Sequence, residues 1–465
     1  MTEQGRQSAG GPSRGGLVAE LRSAVAADLH LEAPDGLAAD DRRELARELA
    51  LSRLRRRDTE LVSAGGRPLD PIAEQQVTQS VLDALFGLGH LQALVDDDRI
   101  ENIDVNGCDR VWVTYADGSK AEVDPIAESD EDLVELLRVA AARFGLSERR
   151  FDLGHPELDL RLPDGSRLSA LMSVVARPSV SIRRHRFVDL TIDDMVVLGT
   201  LDRVVASFLA SAVRARKNIV VAGAMNSGKT TLVRALASEI PPRERVVTIE
   251  QAFELGLDHQ IERHPDLVAL EAREANMEGA GAIGMAMLVR RALRMNADRV
   301  IVGEVLGDEV IPMLNAMSQG RSGSMCTIHA DSSAAVFRRM ASYAVQAAER
   351  LPLEATTLLV AGALDFVVFL DVERPTDPVP EDRWSTGSNS EDGAKRVFHP
   401  VRRRRFVASI REVVDADGMQ VVSNEVFKPG RDGRAEPGAP LRSGTLDELM
   451  DHGYDPGFFP GDHSW

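Results

Sequence analysis

Residues 223–231 read Gly223-Ala224-Met225-Asn226-Ser227-Gly228-Lys229-Thr230-Thr231, the G-x-x-x-x-G-K-T spacing of a loop that binds a nucleoside triphosphate. Each residue type answers a separate demand. Successive backbone N–H groups must converge on the phosphates, and a side chain at Gly223 or Gly228 would obstruct that turn. Lys229 supplies a mobile positive charge to the outer phosphates, and Thr230 offers a hydroxyl to Mg²⁺. With Asn226, Ser227, Gly228 and Thr231, these residues form the expected nucleotide contact.

Phosphoryl transfer also needs a carboxylate near the metal and a group that orients water. The apolar run 299–302 leads to Glu304, and 246–249 leads to Glu250 with Glu254 four residues on. Glu304 is the first choice for polarising water or holding the metal hydration shell. Glu250 and Glu254 are candidates to reach the Mg²⁺ region, one of them orienting the attacking water, and the sequence does not assign the proton. His329 closes the run 325–328, where an imidazole can donate to the terminal phosphate or bridge to it through a carboxylate. Arg290 and Arg294 align at helical spacing within 288–295 and are candidates to cross a subunit boundary and neutralise phosphate charge. Arg183 and Arg184, ending a strand of the preceding domain, are similar candidates to contact the nucleotide, where a hinge would couple its binding to domain motion. Lys229, Glu304 and His329 are thus expected around one terminal phosphoryl group.

Those groups need a parallel sheet whose strands end on one edge. From about 195 to 372, apolar strands at 218–222, 246–249, 267–270, 299–302, 325–328 and 366–370 alternate with helical stretches, as an α/β domain requires. Before it, 91–190 reads as a smaller α+β domain, with short strands at 103–107 and 110–115, a second pair at 158–162 and 167–172, and a last strand at 180–184. Residues 21–90 read as helical and 1–20 as a disordered lead-in. Residues 373–430 read as a polar insertion with a small antiparallel add-on, and 431–465 as a weakly structured tail.

Composition sets outer bounds. The chain has 465 residues, is 43% hydrophobic, and carries 55 basic against 73 acidic side chains, a net charge of −18. Such acidity argues against coating nucleic acid, although Arg149-Arg150, residues 183–186 and residues 402–405 make local basic patches. Cys108 and Cys326 stand alone and far apart, which predicts no disulfide. No segment reads as a leader or reaches bilayer length, which predicts only peripheral membrane association, through a partner.

In order, these pieces resemble the secretion ATPases of the type II/type IV pilus and type IV secretion superfamily, and most of all the CpaF/TadA branch serving tight-adherence (Flp) pili. The phosphate loop, the acidic stretch 250–255, Asp298 through Val305, the stretches 267–273 and 288–295, and residues 323–330 match its motifs. So do 103–107, 161–167 and 181–184 in the preceding domain. The resemblance covers roughly residues 75–370. It implies a RecA-like P-loop core binding ATP and Mg²⁺, a preceding PAS-like domain, a homo-hexameric ring, and a cytoplasmic motor docked on inner-membrane platform proteins. Two positions depart from the pattern: Gln251 stands where an aspartate is usual, and Leu306 where an arginine is usual. The rival readings are a nucleic-acid helicase or packaging motor on the same core, and a ring that binds nucleotide without turnover.

Overall fold

The computed structural model describes residues 14–34, 39–115, 118–144, 150–184, 189–273, 275, 280–318, 322–373, 384–385, 397–398 and 404–456. The chain divides into two compact units, residues 1–184 with 380–400, and residues 185–379 with 401–465.

The first unit begins with helices α1 (Arg14–Glu32), α2 (Ala39–Ser63), α3 (Pro71–Phe86) and α4 (His90–Asp96). Pro71 suits the first turn of α3, because it lacks the N–H that would be orphaned there, and the Asp70 carboxylate accepts from Ala73 N at 2.8 Å. The expected lead-in over 1–20 requires correction at its end. Residues 1–13 lie outside those described, but α1 takes in residues 14–20. Leu17, Leu21, Val25 and Leu29 recur every four residues and are all buried against α2 and α3, and that stripe outweighs the surrounding Gly and Arg.

Strands β1 (Ile100–Asn106), β2 (Val111–Tyr115) and β3 (Lys120–Val123), helix α5 (Asp130–Phe144), and strands β4 (Glu157–Arg161), β5 (Arg167–Leu171) and β6 (Ser179–Arg183) follow. They build an antiparallel sheet in the order β3-β2-β1-β6-β5-β4. Alternate residues such as Ile103, Val105, Leu168 and Ile182 point into one core with Leu133 and Leu137 of α5.

In the second unit, helices α6 (Ile192–Val197) and α7 (Arg203–Arg214) lead to strand β7 (Ile219–Gly223) and helix α8 (Lys229–Ala237). Then come β8 (Val246–Glu250), β9 (Leu267–Glu271), α9 (Met285–Ala292), β10 (Arg299–Val305), α10 (Val310–Ser318), β11 (Met325–His329), α11 (Ala335–Gln346), α12 (Leu353–Ala363) and β12 (Phe366–Val372). These six strands are mutually parallel in the order β12-β7-β11-β10-β8-β9. Both faces are dry: Ile219 and Val221 enter one apolar core with α7 and α8, while Val220 and Ala222 enter another with α9, α10 and α11. Burial on both sides is why these strands read as unbroken apolar runs. A helical region followed by mixed α/β units, the second with this crossover-linked parallel sheet, resembles the RecA-like ATPase fold.

The C-terminal expectations change. Short strands β13 (Trp384–Ser385) and β14 (Val397–Phe398) pair with each other, and β14 pairs with β3, so this part of the expected insertion belongs to the first unit's sheet. Strands β15 (Arg405–Asp417), β16 (Gln420–Pro429) and β17 (Ala435–Pro437) are no separate add-on. They continue the parallel sheet antiparallel from β12, covering backbone groups that would otherwise be an open edge. Nor is the tail after 430 unstructured through Asp455: β17 and helix α13 (Ser443–Asp451) are ordered, and Leu449 and Tyr454 are buried in the core. Phe208 of α7 meets Phe366, Phe427 and Tyr454 edge-on at centroid distances of 5.0, 5.2 and 5.5 Å, joining α7, β12, β16 and the C-terminal segment. Phe208→Ala is expected to cost about 3–5 kcal/mol in urea unfolding; a loss below about 1 kcal/mol would mean that the C-terminal aromatics do not depend on that ring.

Candidate active site at the phosphate loop

The loop leaves β7 in the middle of the sheet, between β11 and β12, and enters α8 directly. Gly223 has no room for a side chain, because a Cβ there would lie 2.5 Å from Ser227 Oγ and 2.7 Å from Leu370 O. Asn226 (φ +59°) and Gly228 (φ +94°) occupy the left-handed region, which curls the loop so that its amides converge as in an anion nest. Ser227 Oγ is buried with no hydrogen-bond partner, a polar atom left for something the loop encloses. Thr230 and Thr231 open α8 behind Lys229 and are half-buried. Positive φ, a helix N-terminus and an orphaned hydroxyl fit a triphosphate with its Mg²⁺.

Lys229 is buried, and its Nζ donates to Ala224 O at 3.1 Å and to His329 Nδ1 at 3.0 Å. An ammonium has only donors, so Nδ1 accepts and the ring proton sits on Nε2. That N–H donates to Glu304 Oε1 at 2.9 Å, and Lys229 Nζ lies 4.0 Å from the same oxygen. Three side chains from α8, β10 and β11 therefore meet in one chain of hydrogen bonds. Thr327 Oγ1 donates to Gly303 O at 2.6 Å, tying β11 to β10 just behind Glu304.

Glu250 is at the end of β8, and its side chain is buried. Its Oε2 accepts from Glu254 N at 2.6 Å and Leu255 N at 2.8 Å, while a Cβ on Gly303 would lie 2.9 Å from its Cγ. Burial pushes the carboxyl from its ordinary 4.5 up to about 7, against the two amides and the Arg234 guanidinium that pull it down, while the Glu254 carboxylate adds to the rise. Arg234 in turn donates to Glu254 O.

Arg290 and Arg294 are not brought to this cluster. Both are exposed, Arg290 paired with Glu349 at 3.3 Å, and α9 stops at Ala292, before Arg294, so the expected helix over 288–295 is shorter. Arg183 and Arg184 belong to the first unit. Arg183 is exposed, and Arg184 bonds to the Asp97 and Ile100 carbonyls and to Asp98 at 3.1 Å. Two residues around the loop had no sequence signal. Arg405 Nε donates to Asn226 O at 3.1 Å, and the Glu309 carboxylate accepts from Leu306 N and, at 2.9 Å, Gly307 N just beyond Glu304. Cys108 and Cys326 are free and buried in separate units.

A family model described as "Type II/IV secretion system protein" matches residues 86–428. The chain belongs to that family. With it come ATP hydrolysis and the work of a motor for secretion or pilus assembly. A putative conjugal transfer protein of Mycobacterium tuberculosis is 37% identical over 265 residues, 55% of this chain and 72% of that protein. The type IV secretion system protein PtlH of Bordetella pertussis is 31% identical over 310 residues, 61% of this chain and 89% of its own. The crystal structure of the VirB11 ATPase from the Brucella suis type IV secretion system, in complex with sulphate, is 29% identical. It covers 61% of this chain and 90% of that one, with a TM-score of 0.32.

The raised Glu250 pKa has a definite sign. Between about pH 4.5 and 7 the folded state holds a proton that the unfolded state has released, so this group's contribution to stability falls as pH rises through that window. Glu250→Gln keeps an oxygen for the two amides and has no charge to bury. It should stabilise the nucleotide-free protein by roughly 2–3 kcal/mol above pH 7, a gain that vanishes below about pH 4.5. A denaturation series across pH reads this directly, and a gain independent of pH would contradict it.

Proposed function

We propose that Lys229, Glu304 and His329 act on one terminal phosphoryl group, making this chain the ATP-hydrolysing subunit of a homo-hexameric ring. The observation that carries the reading is the unbroken Lys229–His329–Glu304 chain of 3.0 and 2.9 Å contacts at the mouth of the phosphate loop. When bound, Mg²⁺ neutralises charge on the phosphoryl oxygens. Thr230, Glu304 and Glu250 are the residues to hold it, directly or through water, and ATP is the nucleotide.

Lys229 exchanges Ala224 O for phosphate oxygens when ATP enters. His329 keeps Nε2–H on Glu304 and Nδ1 as acceptor for Lys229, so that the imidazole links the phosphate-holding lysine to that carboxylate and reports whether the terminal group is present. Glu304 orients the attacking water through its second oxygen. Buried Glu250 shapes the turn over 254–255, and Glu254, half-buried on that turn, is the alternative water-orienting carboxylate. Exposed Arg290, Arg294 and Arg183 are offered to a neighbouring subunit, where a guanidinium neutralises charge in transit, and Arg184 braces the strand end beside Arg183.

The assignment to the tight-adherence (Flp) pilus branch rests on the motifs at 223–231, 250–255, 267–273, 288–295, 298–305 and 323–330, with those at 103–107, 161–167 and 181–184. The first unit's sheet, with α5 packed on it, supports reading residues 91–190 as PAS-like. No helix among the described residues is long and apolar enough to cross a membrane. In this reading the motor is attached through platform proteins at the inner face of the cell membrane. The net charge of −18 disfavours the helicase reading.

Glu304→Gln is expected to keep ATP binding and lose at least about 100-fold in phosphate release, since it removes an electrostatic group acting in the transition state. Wild-type turnover in that variant would end this assignment, and absent turnover in the intact protein would leave a ring that binds nucleotide without hydrolysis.

A further inference from the structure

We propose that Arg405 is a positioning residue of the phosphate loop, holding it in its anion-binding form and tying the C-terminal strands to the nucleotide. The inference rests on the reading that residues 223–231 bind the phosphates of ATP.

Topology brings Arg405 there. Strand β12 runs parallel to β7, with Leu370 beside Gly223, so the end of β12 lies at the sheet edge from which the loop emerges. Strand β15 is antiparallel to β12, with Arg405 opposite Val372, so its first residue returns to that same edge. Nothing in the run 402–405 marks its last arginine for this task, because the placement is made by strand pairing 179 residues downstream of Asn226.

The contact meets the loop where its backbone turns left-handed. Arg405 Nε donates to Asn226 O at 3.1 Å, and a Cβ on Gly228 would stand 3.5 Å from Arg405 Cδ, so the side chain lies along the outside of the turn. Asn226 has φ +59°, a conformation that a non-glycine residue adopts at a cost. A peptide group is planar, with C=O and N–H opposed, so holding the Asn226 carbonyl sets the direction of the Ser227 N–H. That N–H meets Ala224 O at 3.3 Å, the same carbonyl that Lys229 Nζ holds at 3.1 Å. One guanidinium thus orients the peptide plane linked to the catalytic lysine's resting partner. Its charge also adds to the attraction for phosphate. Because Arg405 is itself exposed, removing it opens no cavity, which separates positioning from packing.

The test uses the full chain with Arg405→Ala, Arg405→Gln and Arg405→Lys beside Lys229→Ala, reading steady-state ATP hydrolysis and nucleotide-free melting. A pre-organised loop serves bound substrate and transition state alike. Arg405→Ala and Arg405→Gln are therefore expected to raise KM for ATP about five- to tenfold with kcat within about twofold, and Arg405→Lys to recover part of the loss. Melting without nucleotide should be unchanged. A wild-type KM in both the Ala and Gln variants, beside an inactive Lys229→Ala, overturns this inference alone. A lowered nucleotide-free melting temperature would also overturn it, by making the role structural. Retained turnover in Lys229→Ala would overturn the ATP-site reading beneath it.

Discussion

A lysine ammonium can only donate, and the centre of the second unit is arranged around that asymmetry. Lys229 is almost wholly buried, so each of its N–H bonds needs an acceptor of its own. One is the loop carbonyl of Ala224, and another is a ring nitrogen of His329, which commits the opposite nitrogen to Glu304. The charge is therefore balanced by a carboxylate 4.0 Å away with an imidazole interposed. Such a lysine is held in place yet exchangeable, since any stronger acceptor, such as a phosphate oxygen, can take over its donors without breaking a direct lysine–carboxylate pair.

The sheet supplies both the precision and the polarity of this arrangement. All six parallel strands present their C-terminal ends to one edge, so Gly223, Glu304 and His329 are delivered together from three adjacent strands. The opposite edge is locked by a different device. Arg299, fully buried at the start of β10, bonds to Glu244 at 2.6 and 3.2 Å and to Val213 O at 2.7 Å, while Asn218 at the start of β7 reaches Met317 O and Ala363 O and accepts from Ser324 N. A saturated polar network at one end of a strand and an unsaturated one at the other is the division expected of a scaffold carrying a site.

What could be read from the residues follows from locality. The loop, its glycines and the strand ends at Glu304 and His329 are legible because the chemistry needs particular residue types within a few positions of an apolar run. Dry burial on both faces makes those runs obvious. The antiparallel C-terminal strands are legible but their place in the main sheet is not, because residues 405–417 alternate less cleanly and their pairing with β12 lies across a long, polar connection, which no local pattern reports. The first turns of α1, residues 14–20, are hidden for the opposite reason: the apolar residues at 17, 21, 25 and 29 are regular, but a Gly- and Ser-rich composition before them masks the start. Arg405 and Glu309 act on backbone groups, and a side chain that serves a backbone carbonyl or amide leaves no spacing rule behind.

The two departures from the family pattern can be weighed by where they sit. Leu306 is about half exposed at 51%, and only its amide is engaged, by Glu309. An apolar side chain there leaves the Lys229–His329–Glu304 chain untouched and removes charge only from the outer surface. Gln251 is exposed, one residue beyond the end of β8, while Glu250 is buried. The carboxylate that remains at 250 is the one buried against Gly303, whose missing side chain is the condition for Glu250 to lie there at all. A second carboxylate nearby would raise the cost of ionising Glu250 further, since like charges in a poorly solvated site oppose each other. Glu254 already supplies one such carboxylate, and the neutral glutamine at 251 adds no other to oppose the charge on Glu250.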